Sequence, residues 1–297
     1  MKNILLIDSN NLLHRVYWVH KSYAKNASVP YLFLNSIKKY YNMFNPDVVY
    51  AAWDSKIFYG QSNFRKDSEV EYKQTRDREK DEDIYQHETT IKEICESLGV
   101  YNICPGVLEA DDVIYWLSNY FKNDKKTVVS VDKDLVQLVN ENTNVFSPIK
   151  NILITPDNFE EQNKISIKHF VNLKALVGDK SDNIHGVPKV GEKTAKKILL
   201  EGSPKDNLSE ESYKIYERNV DLIDLSRAFN FHPEEEQVYI DQMNSFEDDI
   251  GSANEFKLLC EKFNLKSILN NMEDWRGTFF KDEFINRLQS FLNQNTK

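Results

Sequence analysis

Residues 3–8 read Asn3-Ile4-Leu5-Leu6-Ile7-Asp8, a short apolar run closed by an acid. Four aliphatic residues in a row present apolar side chains to both faces of a strand, as in a parallel sheet covered on both sides. The pattern recurs at Val48–Trp53, followed by Asp54, and at Thr127–Val131, followed by Asp132. Buried strands are therefore expected over 3–7, 47–53, 99–104 and 127–132. Helical periodicity separates them near 10–24, 31–43, 84–97 and 109–121. Strands alternating with helices imply an α/β fold with a mostly parallel sheet flanked by helices. Val145-Phe146 and Ile152–Ile154 suggest a late hairpin or edge pair, and the pattern turns helical from about residue 165. Open α/β sheets gather ligands at the carboxyl ends of their strands, where Asp8, Asp54 and Asp132 fall.

Further acids join these three. Glu109-Ala110-Asp111-Asp112 opens an amphipathic segment, Asp134 follows Asp132 by two residues, and Asp179 and Asp182 come just after the periodic stretch 167–177. Singly, each has an ordinary explanation: Asp8 and Asp54 suit helix caps, and the rest suit loops. Three acids in four residues exceed what capping requires. On a helix Glu109 and Asp112 share a face, with Asp111 turned about 100° away. Nine carboxylates converging on one edge repel one another strongly unless cations lie among them. Hard divalent ions with oxygen ligands answer that need, Mg²⁺ first.

The chain of 297 residues holds one large domain or two modest ones, and 40% hydrophobic and 12% aromatic residues suit a packed core. Cys95, Cys104 and Cys260 show no metal-type spacing and fit reduced thiols in a cytosolic protein. The apolar run before Asp8 is too short for a signal peptide, and no stretch approaches the roughly 20 apolar residues of a membrane span. The net charge of −9 is unevenly spread: residues 203–297 carry 11 basic and 19 acidic side chains, residues 1–202 carry 27 and 28. Setting the nine clustered acids aside leaves the longer segment basic, which suits either an ordinary mixed surface or an acidic pocket in a basic surround for metal-dependent work on a phosphate backbone.

Two segments stand apart. Residues 56–83 are charge-dense, with seven basic side chains and few aliphatics. They are too long for a quiet connection, and suit either a solvated insertion or helices that order over a ligand. The stretch Gly186-Val187-Pro188-Lys189-Val190-Gly191 reads as a tight turn between helices in which glycine supplies φ > 0. It is either an ordinary helix-turn-helix packing element or one whose backbone N–H groups and following helix start offer a phosphate site without base readout. Lys189, Lys193, Lys196 and Lys197 add charge there.

On these motifs the chain resembles the flap endonuclease and 5′→3′ exonuclease family over roughly residues 3–202. In length and tail it is most similar to the phage-encoded members, including those named RNase H for removing RNA primers. The family's acids match Asp8, Asp54, Glu109, Asp111, Asp112, Asp132, Asp134, Asp179 and Asp182. The resemblance implies a PIN-like α/β nuclease domain over 1–164, with a helical arch at 56–83. A helical DNA-binding and C-terminal region follows over 165–297, its helix–three-turn–helix at 178–202. Two Mg²⁺ ions are implied, with Mn²⁺ as a substitute, and K⁺ at the 186–191 turn. Glu109, Asp111, Asp8 and Asp54 would serve the first ion and Asp132, Asp134, Asp179 and Asp182 the second, with Asp111 or Asp112 between them. Lys73 and Arg76 match the arch-base residues beside the scissile phosphate. Tyr72, Arg65, His14, Arg15, Gly186, Val187, Lys189, Gly191, Lys193 and Lys196 are expected to contact DNA. His14 stands where relatives often carry an aromatic residue. The implied substrates are branched or nicked duplex DNA and RNA–DNA hybrid. A single-strand-binding protein or sliding clamp is a candidate partner for the C-terminal region, and any polymerase is expected to be a separate chain. A monomer in the cytoplasm is expected, the host's cytoplasm for a phage-encoded chain. A PIN-type ribonuclease shares the strand-end acids but lacks arch and hairpin. A non-catalytic DNA-structure binder would be expected to have lost some of the acids, and all nine are present.

Overall fold

The computed structural model describes residues 1–55, 64–68, 72–73, 83–246 and 251–280. Its centre is a six-stranded sheet of β1 (Asn3–Asp8), β2 (Val48–Ala52), β3 (Val100–Ile103), β4 (Lys125–Val129), β5 (Thr143–Ser147) and β6 (Ile152–Ile154), in the order β3-β2-β1-β4-β5-β6. All neighbours are parallel except β5 and β6, which pair antiparallel as the expected edge hairpin. The chain moves outward from β1 to β3, then returns to β4 on the other side of β1. That reversal makes β1/β4 the switch point at which a ligand crevice opens.

Alternation along β1 builds the core. Leu5 and Ile7 face the cluster formed with α1 (Ser9–Ser22), α2 (Val29–Phe44) and α3 (Glu88–Ser97), through Leu13, Phe33, Ile37 and Ile91. Ile4 and Leu6 face Val113, Ile114 and Leu117 of α4 (Ala110–Tyr120). Because side chains alternate with a period of two, an unbroken aliphatic run is needed to supply both layers.

The helical region begins with α5 (Phe170–Val177), a two-residue hairpin of β7 (Gly178–Asp179) and β8 (Ile184–His185), and α6 (Glu192–Glu201). Together with α7 (Glu210–Ile223) these enclose a third core containing Leu176, Ile184, Val187, Ala195, Ile198 and Val220. Beyond it, α8 (Glu235–Ser245) packs on the second core through Tyr239, and α9 (Ala253–Lys262) and α10 (Met272–Phe279) cover the first through Phe256 and Trp275. Among the described residues no helix is long and apolar enough to cross a membrane.

The turn at 186–191 departs from the expected glycine logic. The left-handed residues between α5 and α6 are Gly178 (φ 86°), Asn183 (φ 60°) and Lys189 (φ 63°), not Gly186 or Gly191. Gly186 is required for close approach instead: a Cβ there would lie 2.1 Å from the Val177 carbonyl oxygen. Gly191 is extended, with open space around it, and precedes α6 as its cap.

Candidate active site

Three strand ends and one helix start meet at the carboxyl edge of the sheet. Asp8 closes β1 and caps α1, accepting the Asn11 N–H at 3.1 Å and the Ser130 hydroxyl at 2.5 Å. Ser130 follows β4, so this bond ties together the two strand ends at the switch point. Ser130 Oγ also accepts the Asp132 N–H at 2.9 Å, and Asp132 Oδ1 accepts the Asp134 N–H at 2.8 Å. Asp54, beyond β2, accepts the Ala110 N–H at 2.8 Å, and its own N–H donates to Asn10 Oδ1 at 2.9 Å. Glu109 is the N-cap of α4, with Asp111 and Asp112 in the first turn.

Counter-charges sort these acids. Asp8, Asp111 and Asp132 form no salt bridge among the described residues. Burial, with repulsion from Asp132 and Asp54, pushes Asp8 up to about 7 against the lowering hydrogen bonds from Ser130 and Asn11. Burial likewise drives Asp111 well above the usual carboxylate range, with Asp132 and Asp8 adding to it against the opposing charge of Lys73. Glu109 is the opposite case. Its burial is outweighed by Lys73 and Arg65 and by hydrogen bonds from Lys73 (2.7 Å) and the Tyr72 hydroxyl (3.0 Å), which hold it at about 2. Asp179 is held at about 2 despite burial by Lys174 and by the Ser181 N–H and hydroxyl. Lys174 also bonds Asp134, so one ammonium bridges the two carboxylates.

Several expected roles are corrected. Arg65 is 1% exposed, so it cannot contact DNA; its guanidinium donates to both Asp112 oxygens at 2.7 and 2.8 Å and to the Leu222 carbonyl at 3.2 Å. Asp112, fully buried, spends both oxygens on Arg65 and turns back to accept the Glu109 N–H at 3.1 Å. It positions the start of α4 and is not disposed to ligate an ion. Tyr72 is buried in the third core with its hydroxyl on Glu109, leaving no face for a base. Val187 is buried too, and its N–H is taken by the Leu176 carbonyl at 2.8 Å.

Lys73 reaches Glu109, and its N–H donates to the Asp182 carbonyl at 3.1 Å, which ties its backbone to the loop after β7. His14 hydrogen-bonds Tyr85 at 3.2 Å, and Arg15 donates to the Tyr40 hydroxyl at 2.6 Å. Lys189 and Lys193 are exposed, whereas Lys196 is paired with Glu192 at 2.6 Å. Arg76 and most of the expected arch lie outside the described residues.

Three further contributors were not singled out from sequence: Ser130, Lys174 and Glu235. Ser130 is a lone polar residue between Val129 and Val131, and Lys174 is the one charge in Phe170–Val177; both signals were available. Glu235 sits in the run Glu234-Glu235-Glu236, indistinguishable from a solvated face, yet it is 1% exposed. Its carboxylate accepts the Gly106 and Val107 N–H groups at 2.9 and 2.7 Å, while Ser55 donates to the Gly106 carbonyl at 2.5 Å. Gln242 pairs with both backbone groups of Cys104, at 2.9 and 2.7 Å. Helix α8 thus clamps the loop that delivers Glu109 and Asp111.

The donors fit a hard cation: oxygen only, with no His or Cys, and three mutually repelling carboxylates at one strand-end crevice. Among the described residues no three are drawn close enough to enclose an ion as they stand, so binding would require the carboxylates to close in.

Known proteins agree with this architecture. The family model of the 5′-3′ exonuclease N-terminal resolvase-like domain matches residues 3–164, and that of the 5′-3′ exonuclease C-terminal SAM fold matches residues 165–232. The chain is 35% identical to the 5′-3′ exonuclease of Bacillus subtilis over 220 residues, covering 70% of this chain and 73% of that one. It is 29% identical to the 5′-3′ exonuclease of Mycoplasmopsis pulmonis over 297 residues, covering 97% and 96%. Among solved structures, T5 5′-exonuclease with bound zinc matches with a TM-score of 0.67 at 21% identity, over 82% of this chain and 98% of that one. A resolvase-like nuclease domain followed by a SAM-fold region, matched to exonucleases over most of their length, makes this chain a member of the 5′-3′ exonuclease family.

Proposed function

We propose that the chain hydrolyses phosphodiesters near the 5′ ends of branched or nicked duplexes, DNA flaps and RNA primers among them, with two Mg²⁺ ions. The observation that carries this reading is the group Asp8, Asp111 and Asp132. These carboxylates meet at the β1/β4 switch point, where burial and mutual repulsion drive Asp8 and Asp111 upward, and no salt bridge among the described residues relieves them. Asp8, Asp111 and Asp132 would hold divalent cations, which would supply activation of water and charge stabilisation at the phosphate and the leaving oxygen.

The chain's own residues do the rest. Asn11 and Ser130 fix the Asp8 carboxylate, and Asp54 holds the first turn of α4 in place. Lys73, 14% exposed, keeps Glu109 ionised. A phosphate oxygen reaching the acids takes one of its three N–H donors and draws its charge toward the scissile group. Arg76 would act beside it. Lys189, Lys193 and the first turn of α6 grip duplex backbone without reading bases, with K⁺ at the 186–191 turn. The distance between this grip and the acids sets where the cut falls.

The test is product mapping on a 5′ flap, a nicked duplex and an RNA–DNA hybrid, with Mg²⁺ and with EDTA, for wild type and Asp111→Asn. The expected products are short fragments from the 5′ end, abolished by EDTA and reduced at least about a hundredfold by the substitution. Cleavage that survives EDTA, or a near-native rate in Asp111→Asn, refutes the proposal.

A further inference from the structure

The acid set is not uniformly in want of cations. Asp134 starts the 3₁₀ turn after β4, and Asp179 ends the strand β7. The Lys174 ammonium, from the last turn of α5, bonds both, lying 2.5 Å from Asp179 Oδ2. All three side chains are only 13–16% exposed. Both acids are also oriented from behind: Asp179 accepts the Ser181 N–H at 2.7 Å, and the Asp134 N–H donates to Asp132 Oδ1 at 2.8 Å. A positive charge thus already sits in the fork of two carboxylates, one from the α/β domain and one from the helical region. Asp8, Asp111 and Asp132, beside them in the same set, have no such partner among the described residues.

We propose that Lys174 is a built-in counter-ion of the second metal position, and that a divalent cation enters between Asp134 and Asp179 only by displacing this ammonium. The inference rests on the two-ion reading above, and it makes the two ions unequal. The first meets carboxylates that repel one another and gain from neutralisation. The second must replace an ion pair already formed in a poorly hydrated place, where the exchange releases less free energy than filling an empty position. The ammonium also staples the helical region to the nuclease domain while the second ion is away, so the acids of that position stay assembled.

The experiment is an equilibrium titration with Mn²⁺, counting free ion by electron paramagnetic resonance, on the full chain without nucleic acid. Wild type, Lys174→Met and Lys174→Arg are compared. Lys174→Met keeps much of the side-chain volume and removes the charge; Lys174→Arg keeps the charge. Wild type is expected to bind one Mn²⁺ tightly and a second more weakly. Lys174→Met should tighten the second ion alone by about ten- to a hundredfold and leave the first within about twofold, while Lys174→Arg stays like wild type. Metal-free Lys174→Met should melt lower than wild type and regain more on adding Mn²⁺, because Asp134 and Asp179 then face each other unshielded. An unchanged or weaker second ion in Lys174→Met overturns the proposal. One ion only in every variant overturns it while leaving the first position standing, and no binding in any variant overturns the metal reading beneath it. Should Lys174→Met fail to fold, the wild-type ¹⁵Nζ lysine spectrum decides. The Lys174 signal should change as the second Mg²⁺ binds, and a signal indifferent to Mg²⁺ at saturation overturns the displacement.

Discussion

Arg65→Met separates a buried positioning role from a DNA-contacting one. Arg65 is 1% exposed and Asp112 is fully buried, joined by two hydrogen bonds of 2.7 and 2.8 Å. Methionine fills part of the space but leaves the Asp112 carboxylate without a cation in a place water does not reach. Removing one partner of a buried pair costs about 3–5 kcal/mol, and the Leu222 carbonyl, which accepts from Arg65 Nε at 3.2 Å, loses about 1 kcal/mol more. A loss of about 4–6 kcal/mol is a large share of the roughly 5–15 kcal/mol that holds a domain folded. At about 2–4 °C per kcal/mol for a chain of this size, the melting temperature should fall by roughly 10–20 °C. Glu109 should also titrate higher, since Arg65 is one of the charges holding it down. The assay is calorimetric melting of metal-free protein, paired with duplex binding in Ca²⁺ at a temperature where the variant is folded. Arg65→Met/Asp112→Leu should recover most of the loss, because neither charge is then stranded. A variant that melts like wild type but binds duplex several-fold more weakly would refute the reasoning and return Arg65 to the DNA surface.

Three further outcomes are expected. Glu235→Ala strands the Gly106 and Val107 N–H groups at about 1–3 kcal/mol each and loosens the loop carrying Glu109; single-turnover rate should fall more than duplex affinity, and equal losses would assign α8 to substrate binding. In EDTA, Asp8 at about 7 and Asp111 above its usual range hold protons that the unfolded chain releases, so stability should fall as pH rises from about 4 through 7. Glu109 and Asp179, both at about 2, contribute stability above the unfolded carboxylate range that is lost as pH falls toward 2. Metal-free melting should therefore peak near pH 4–5, and saturating Ca²⁺ should flatten the alkaline side; an EDTA curve level from pH 5 to 8 would contradict the assignment. Finally, Lys189→Ala/Lys193→Ala should reduce the slope of log binding constant against log salt by roughly 0.9 per lysine, with the saturated rate nearly unchanged; an unchanged slope would leave the turn a packing element. Lys196 is the poorer choice for this test, because Glu192 already neutralises it.

The sheet and the position of its acids were legible because both follow from local rules. Ile4–Ile7 must face two apolar layers, so β1 is buried on both sides, and an acid after such a run lies at the carboxyl edge whatever the rest of the chain does. A turn between α5 and α6 was legible in outline, although it works differently from expectation and the β7–β8 pair before it was not anticipated. Gly186 is there because a Cβ would strike the Val177 carbonyl, a contact across the turn that residue type alone does not reveal. The division of labour among the nine acids depended on contacts distant in sequence. Glu109 and Asp112 sit three residues apart with similar chemistry, yet Arg65, more than 40 residues earlier in the chain, takes both oxygens of Asp112 and Lys73 takes Glu109. Asp134 and Asp132 are two residues apart, and only Asp134 meets Lys174.

The sequence by itself determined where negative charge collects, since strand ends and helix starts are set by periodicity within a few residues. Only the tertiary structure decided which of those charges are already neutralised, which are buried and raised, and which loop is braced by Glu235 from a helix 129 residues further along the chain. The physical reason is range. Hydrophobic periodicity is a property of neighbouring residues, whereas the ionisation of a carboxylate depends on every charge and every ångström of burial around it in space.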